Sequence, residues 1–173
     1  MTGCPTDRGV EEPVGARVLG VDPGLSSTGY AVVEGRGRRF AVLDAGTIRT
    51  HPGTVLPERL GHIHDVLVET IVAYDPQAVA VEEVFLARNA PSAMGTAEVI
   101  GIVKLLARGR ELRCFPPRQV KKWICGNGSA PKEQMLAMVK ALVSGDGAAM
   151  AKWSDHAGDA VALALCAFFE GGR

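Results

Sequence analysis

Apolar positions along this chain alternate between two periods, one suited to strands and one to helices. The run ARVLGVDPG (16–24) is β-branched, ends in Pro-Gly and reads as a strand entering a turn. TGYAVVEG (28–35) and RRFAVLDAGTIRT (38–50) read as two more strands, with a hairpin signal at Gly35-Arg36-Gly37. From Leu56 to Ala73 the apolar residues fall at 56, 60, 63, 67 and 71, which is helical spacing. PQAVAVEEVF (76–85) is a continuous apolar run entered from a proline, and so a buried strand. Ser92 to Arg108 is helical and apolar on all sides, and ELRCF (111–115) is a short strand. PPRQVKKWICG (116–126) is a brief helix with proline at its start and glycine at its end. APKEQMLAMVKALV (130–143) is an amphipathic helix, GDGAAM (145–150) a loop, and Asp155 to Phe169 the last helix.

Three consecutive strands followed by strand–helix–strand crossovers predict a mixed five-stranded sheet: antiparallel strands first, then parallel ones, with helices on both faces. The class is α/β. No internal repeat or second-domain boundary interrupts residues 16–173, which read as one domain. Residues 1–15 are polar and rich in Gly and Pro, and are expected to be a disordered extension.

Composition narrows the setting. The start of the chain lacks the apolar central region of a secretory signal, and no apolar run approaches the roughly 20 residues that span a membrane. Four scattered cysteines with no CxxC pair argue against a zinc site or a disulfide framework and fit a reducing cytoplasm. Net charge is zero, but it is unevenly spread: all six lysines lie between Lys104 and Lys152. That window holds ten Lys and Arg against three acids, and the rest of the chain holds nine against sixteen. A basic section of this kind either binds a polyanion or forms solvated helix faces.

The acidic residues carry the candidate chemistry. Asp22 ends the first strand just before Pro23-Gly24, where an acid either caps the turn or sits in a paired or metal-bound site. Glu82 lies inside the fourth strand; because side chains alternate, Glu82 and Glu83 point to opposite faces and at most one can join Asp22. In WSDHAGDAVALALC (153–166) two acids and a histidine crowd the first turn of an apolar helix. Asp155 is expected to cap that helix. His156 and Asp159, three apart, share a face and remain for a site, with Ala157, Gly158 and Ala160 keeping that end of the helix thin. Acids gathered from separate strands and a helix are stable around cations. Oxygen-rich ligation suits Mg²⁺ or Mn²⁺, and two such ions about 3.5–4 Å apart stabilise the attacking and leaving oxygens of phosphoryl transfer.

Five motifs in order, GVDPGLSSTGY, GTIRT, VEEVFLARN, PRQVKKWICGNGSAPKEQM and DHAGDAVALALC, resemble the RuvC family of bacterial Holliday-junction resolvases, members of the ribonuclease H-like superfamily. The resemblance spans roughly Arg17 to Phe169. It implies a ribonuclease H-like fold and carries the four metal-binding catalytic positions of the family onto Asp22, Glu82, His156 and Asp159. Many relatives have Asp at the third position, so His156 departs from them while keeping the two-residue spacing of HAGD. The resemblance further implies a homodimer that nicks opposed strands of a four-way junction, leaving 5′-phosphate and 3′-hydroxyl ends, with two Mg²⁺ per site or Mn²⁺ in their place. It also implies work beside the RuvA–RuvB branch-migration complex. Phe85 falls where family members stack an aromatic on an unpaired junction base, and Arg88 follows it. Arg118, Lys121, Lys122 and Lys132 turn the basic window into an expected DNA face, and the helix from Ser92 to Arg108 becomes the expected dimer contact.

Rival readings belong to other classes. DPGLSSTGYAVVE also looks like the phosphate loop of actin-like kinases, but 173 residues leave no room for the second half such enzymes need. A non-catalytic nucleic-acid-binding module would not need the full acidic set. Another ribonuclease H-like nuclease would lack a reason for Phe85 and the basic GNGSAPK segment.

Overall fold

A computed structural model of the chain describes residues 15–83 and 90–171. The elements run β1 (Ala16–Asp22), β2 (Ser27–Arg36), β3 (Arg39–Arg49), α1 (Leu56–Tyr74), β4 (Ala78–Glu82), α2 (Ala90–Leu106), β5 (Glu111–Phe115), α3 (Pro117–Cys125), α4 (Lys132–Leu142), β6 (Val143–Ser144), α5 (Gly147–Ala151) and α6 (Asp155–Gly171). The strands form one sheet in the order β5-β4-β1-β2-β3-β6. β1, β2 and β3 pair antiparallel, the β2–β3 turn being closed by Gly37 at φ 60°. β4 and β5 then add parallel to β1.

Two details correct the reading of the sequence. The sheet has six strands, not five: the chain leaves α4 in extended geometry at Val143, which is buried, and two residues pair with Phe40 and Ala41 at the β3 edge. A pairing this short leaves no periodicity to read. GDGAAM is not all loop, because Gly147–Ala151 make a single short helical turn segment, α5. The extension expected over 1–15 falls, except for Gly15, outside the described residues.

Alternation along the central strands divides the core in two. Val18, Ala31, Val33, Ala78 and Ala80 face α3, α4 and α6. Leu19, Val21, Val32, Val79 and Val81 face α1 and α2, packing on Ile63, Leu67, Val99 and Val103. From Ala160 to Ala167 α6 is apolar all round, as a stretch buried on every side must be, and every residue of it is buried. Leu163 and Leu165 alone each contribute about 1.5–3 kcal/mol through burial. The helix lies against the sheet backbone because β1 and β2 present glycines beneath it. A Cβ at Gly20 would stand 2.0 Å from the Ala160 carbonyl oxygen, and one at Gly29 would stand 2.0 Å from that of His156.

Candidate active site

The same alternation places the acids. Asp22 follows Val18 and Gly20 on the α6 side of β1, and Glu82 follows Ala78 and Ala80 on the α6 side of β4. Both stand one residue beyond Val21 and Val81, the last positions paired between β1 and β4. They therefore project from neighbouring carboxyl ends of the sheet, where open α/β sheets bind ligands. Glu83 goes to the other face, as the sequence requires.

α6 brings its first turn over these two acids. Asp22 lies opposite Gly29 in the β1–β2 ladder, and the missing side chain at Gly29 is what lets the His156 backbone settle there. The helix start is held by Ser154, whose Oγ accepts the Ala157 N–H at 3.1 Å and shares a 2.5 Å hydrogen bond with Thr47 Oγ1 on β3. Ser154 is thus the cap, which corrects the capping role expected of Asp155. Asp155 is exposed and turns instead toward Lys132. A hydroxyl can reach N–H and β3 together from that position, and the longer reach of Asp155 is used for the ion pair. Neither Ser154 nor Thr47 stood out in the sequence; the Ser before a helix start is the signal that could have found the first.

His156 Nδ1–H donates to Asp22 Oδ2 at 2.6 Å. In the neutral ring, a donating Nδ1 leaves the lone pair on Nε2, the form in which histidine ligates a metal or accepts a proton. Asp159 lies one turn on, with Lys132 Nζ 3.1 Å from its Oδ2 and 3.5 Å from Asp155 Oδ2. Burial works against the charge on Lys132, but the Asp159 and Asp155 carboxylates outweigh it and hold its pKa above the usual lysine value. A cavity of about 230 Å³ opens between Glu82, Asp159, Lys121 and Lys132, with Val120, Met135 and Leu163 among its apolar walls.

Glu82 records the crowding of charge. Its pKa is pushed up to about 7, first by burial and then by the Asp22 and Asp159 carboxylates, with Lys132 and Lys121 pulling the other way. Asp159 is also raised, chiefly by burial, against the pull of Lys132. Two carboxyls raised by burial and by neighbouring negative charge, a third carboxylate at Asp22 and one imidazole are an oxygen-rich donor set short of positive charge, and they fit a hard divalent cation. Among the described residues no three His, Cys, Asp or Glu donors are drawn into a ready metal cluster. Asp22 is instead engaged by His156, and Asp159 by Lys132.

The basic residues divide. Lys121 and Lys132 line the acidic cavity, whereas Arg118 and Lys122 line a separate surface hollow of about 780 Å³ with Trp123, Gly126 and Phe169. Arg118 and Lys122, four apart on α3, share one side of that helix, and Lys121 lies on another beside Lys132 of α4, so the four cations expected to form one DNA face line two hollows. Phe85 and Arg88 lie outside the described residues.

Known proteins resemble this chain in sequence and in fold. A family model described as crossover junction endodeoxyribonuclease RuvC matches residues 18–167. A protein of that name from Pelodictyon phaeoclathratiforme is 41% identical over 157 residues, covering 90% of this chain and 81% of its own length. One from Mycobacterium tuberculosis is 40% identical over 154 residues, 87% of this chain and 80% of its own. The structure of T. thermophilus RuvC in complex with Holliday junction substrate superposes with a TM-score of 0.83 at 32% identity, covering 90% of this chain and 94% of that one. Its ribonuclease H-like architecture is the one described above. On sequence and on fold, the chain belongs to the RuvC family of crossover junction endodeoxyribonucleases.

Proposed function

We propose that this protein resolves four-way DNA junctions, cutting phosphodiesters with the help of divalent cations held by Asp22, Glu82, His156 and Asp159. The observation that carries the reading is the convergence of three mutually repelling carboxylates and one oriented imidazole on the α6 side of the sheet ends, in a chain of the RuvC family. Mg²⁺, with Mn²⁺ as a substitute, would supply charge neutralisation at the scissile phosphate and lower the pKa of a water, in two-ion fashion.

The protein's own groups have separable tasks. Asp22, Glu82 and Asp159 furnish the anionic oxygens that hold the cations. His156, kept in one tautomer by Asp22, presents Nε2 either as a ligand or as the acceptor of a proton from the attacking water. Water oxygen bonds to phosphorus, the bond to the 3′-oxygen breaks, and that oxygen takes up a proton. The products are a 5′-phosphate and a 3′-hydroxyl. Lys121 and Lys132, at the mouth of the same cavity, meet the phosphate's non-bridging oxygens. No carboxylate attacks; positioning and electrostatics carry the rate.

The finer assignments are part of the same proposal. A single nuclease domain over 16–173 acts as a homodimer, one site per opposed strand, with α2 at the contact; Met94 and Leu105 on that helix are 64% and 66% exposed. Membership of the RuvC family supports work beside RuvA–RuvB in the cytoplasm as part of this reading. Among the described residues no helix is long and apolar enough to cross a membrane. Phe85 and Arg88 would engage the junction centre, and Arg118 and Lys122 a DNA arm.

The test is a synthetic four-way junction labelled on each strand in turn, incubated with Mg²⁺, Mn²⁺ or EDTA. Paired, symmetric, metal-dependent nicks near the crossover are expected. Tight binding without cleavage in either metal would make the protein a binding module instead.

A further inference from the structure

The loop between β1 and β2 builds a second cavity that shares only His156 with the acidic site. About 420 Å³ opens between residues 24–27 of that loop, Arg59 on α1, Thr96 on α2 and His156 on α6. Arg59 is fixed from two directions. Its Nε–H donates to Thr50 Oγ1 at 2.9 Å and its Nη2 to Ser26 Oγ at 3.1 Å. The Thr50 hydroxyl is itself aimed, donating to the Leu25 carbonyl at 2.5 Å.

A guanidinium has five N–H donors, and these two bonds go to neutral hydroxyls. Among the described residues no carboxylate forms an ion pair with Arg59. An oriented, half-buried arginine with donors to spare, set among serine hydroxyls, matches the planar two-point recognition of a phosphate. His156 forms part of the wall of this cavity while its Nδ1–H reaches Asp22. The cavity thus adjoins the acids across His156, within reach of a phosphate that neighbours one held at the acids.

We propose that Arg59, with the hydroxyls of Ser26 and Ser27, binds a non-scissile phosphate of the DNA strand being cut, fixing where that strand lies against His156. The proposal rests on the junction-cutting reading and adds a positioning residue to it. A purely structural role, tying α1 to the ends of β2 and β3, is the competing account.

Binding separates the two. Four-way junctions are made with one neutral methylphosphonate at a time, stepped along the cut strand. Affinity is measured in EDTA for the wild type, Arg59→Gln and Arg59→Lys, with thermal unfolding recorded for each. Loss of one charged contact is expected to weaken wild-type binding about tenfold at one or two phosphates beside the cut. Arg59→Gln should bind the unmodified junction about tenfold more weakly and show no further loss at those same linkages. Its slope of log affinity against log salt should fall by about 0.9. Arg59→Lys, which keeps the charge without the fork, should retain part of the interference at the same positions, and it carries the test if the Gln variant unfolds. If both variants respond to every linkage as the wild type does, the inference is overturned even though the protein cuts junctions. A wild type that neither binds nor cuts junctions overturns the functional reading, and this inference with it.

Discussion

At the scale of single residues, Glu82 is where charge and burial meet most sharply. Its carboxyl ordinarily titrates at 4.5 and is raised to about 7 in the folded protein, so folding favours its protonated form. Below about pH 4.5 the group is neutral folded and unfolded and costs nothing. As pH rises from there to about 7 the unfolded chain loses a proton that the folded protein keeps, so stability falls; above 7 the full penalty is present. Glu82→Gln should therefore stabilise the protein at pH 8 in EDTA, by on the order of 3 kcal/mol, and change its stability little at pH 4.5. Thermal unfolding at the two pH values checks this. A variant equally affected at both, or less stable at pH 8, would mean that Glu82 is not strained by its neighbours. The gain in stability should come with loss of cleavage, because the same strain holds the cation.

At the scale of elements, the site depends on how closely α6 can approach the sheet. Gly29→Ala places a methyl group against the His156 carbonyl oxygen, and α6 must move away. On the order of 2 kcal/mol of stability should be lost, and cleavage should fall further than junction affinity, since the displaced first turn carries His156 and Asp159. Ser154→Ala removes the cap and the link to Thr47 and should cost about 1 kcal/mol by denaturant titration. An unchanged cleavage rate in Gly29→Ala would show that the position of the helix start is not critical. The elements themselves were largely legible in the sequence. Strand alternation put Glu82 and Glu83 on opposite faces, and helical spacing paired His156 with Asp159. What could not be read was set by contacts distant in sequence. β6 exists because Val143 and Ser144 meet Phe40 and Ala41 about a hundred residues away. The cap is Ser154 rather than Asp155 because Thr47 stands beside it and Lys132 draws the acid away.

At the scale of the whole molecule, a chain of zero net charge gathers its positive excess, ten of nineteen Lys and Arg against three acids, in one stretch, and the fold divides four of those cations between two hollows. The charge count showed the excess but not the division, because position along α3 says nothing of which neighbours each turn meets. Arg118→Ala with Lys122→Ala should weaken junction binding and lower the salt slope by up to about 2, while leaving the cleavage rate at saturation intact. Lys121→Ala with Lys132→Ala should lower both, because those ammoniums line the acidic cavity. Equal effects of the two pairs on saturated cleavage would mean that the hollow beside Trp123 and the acidic cavity are one functional surface. The proposed function makes the acids of β1, β4 and α6 a cation-dependent cutting site. Its most direct test is single-turnover cleavage of a labelled four-way junction by the wild type and Asp159→Asn in Mg²⁺, with junction affinity measured beside it in EDTA. Paired nicks by the wild type, with a loss of a hundredfold or more in Asp159→Asn at near-normal affinity, are the predicted result. Full cleavage by Asp159→Asn would contradict it.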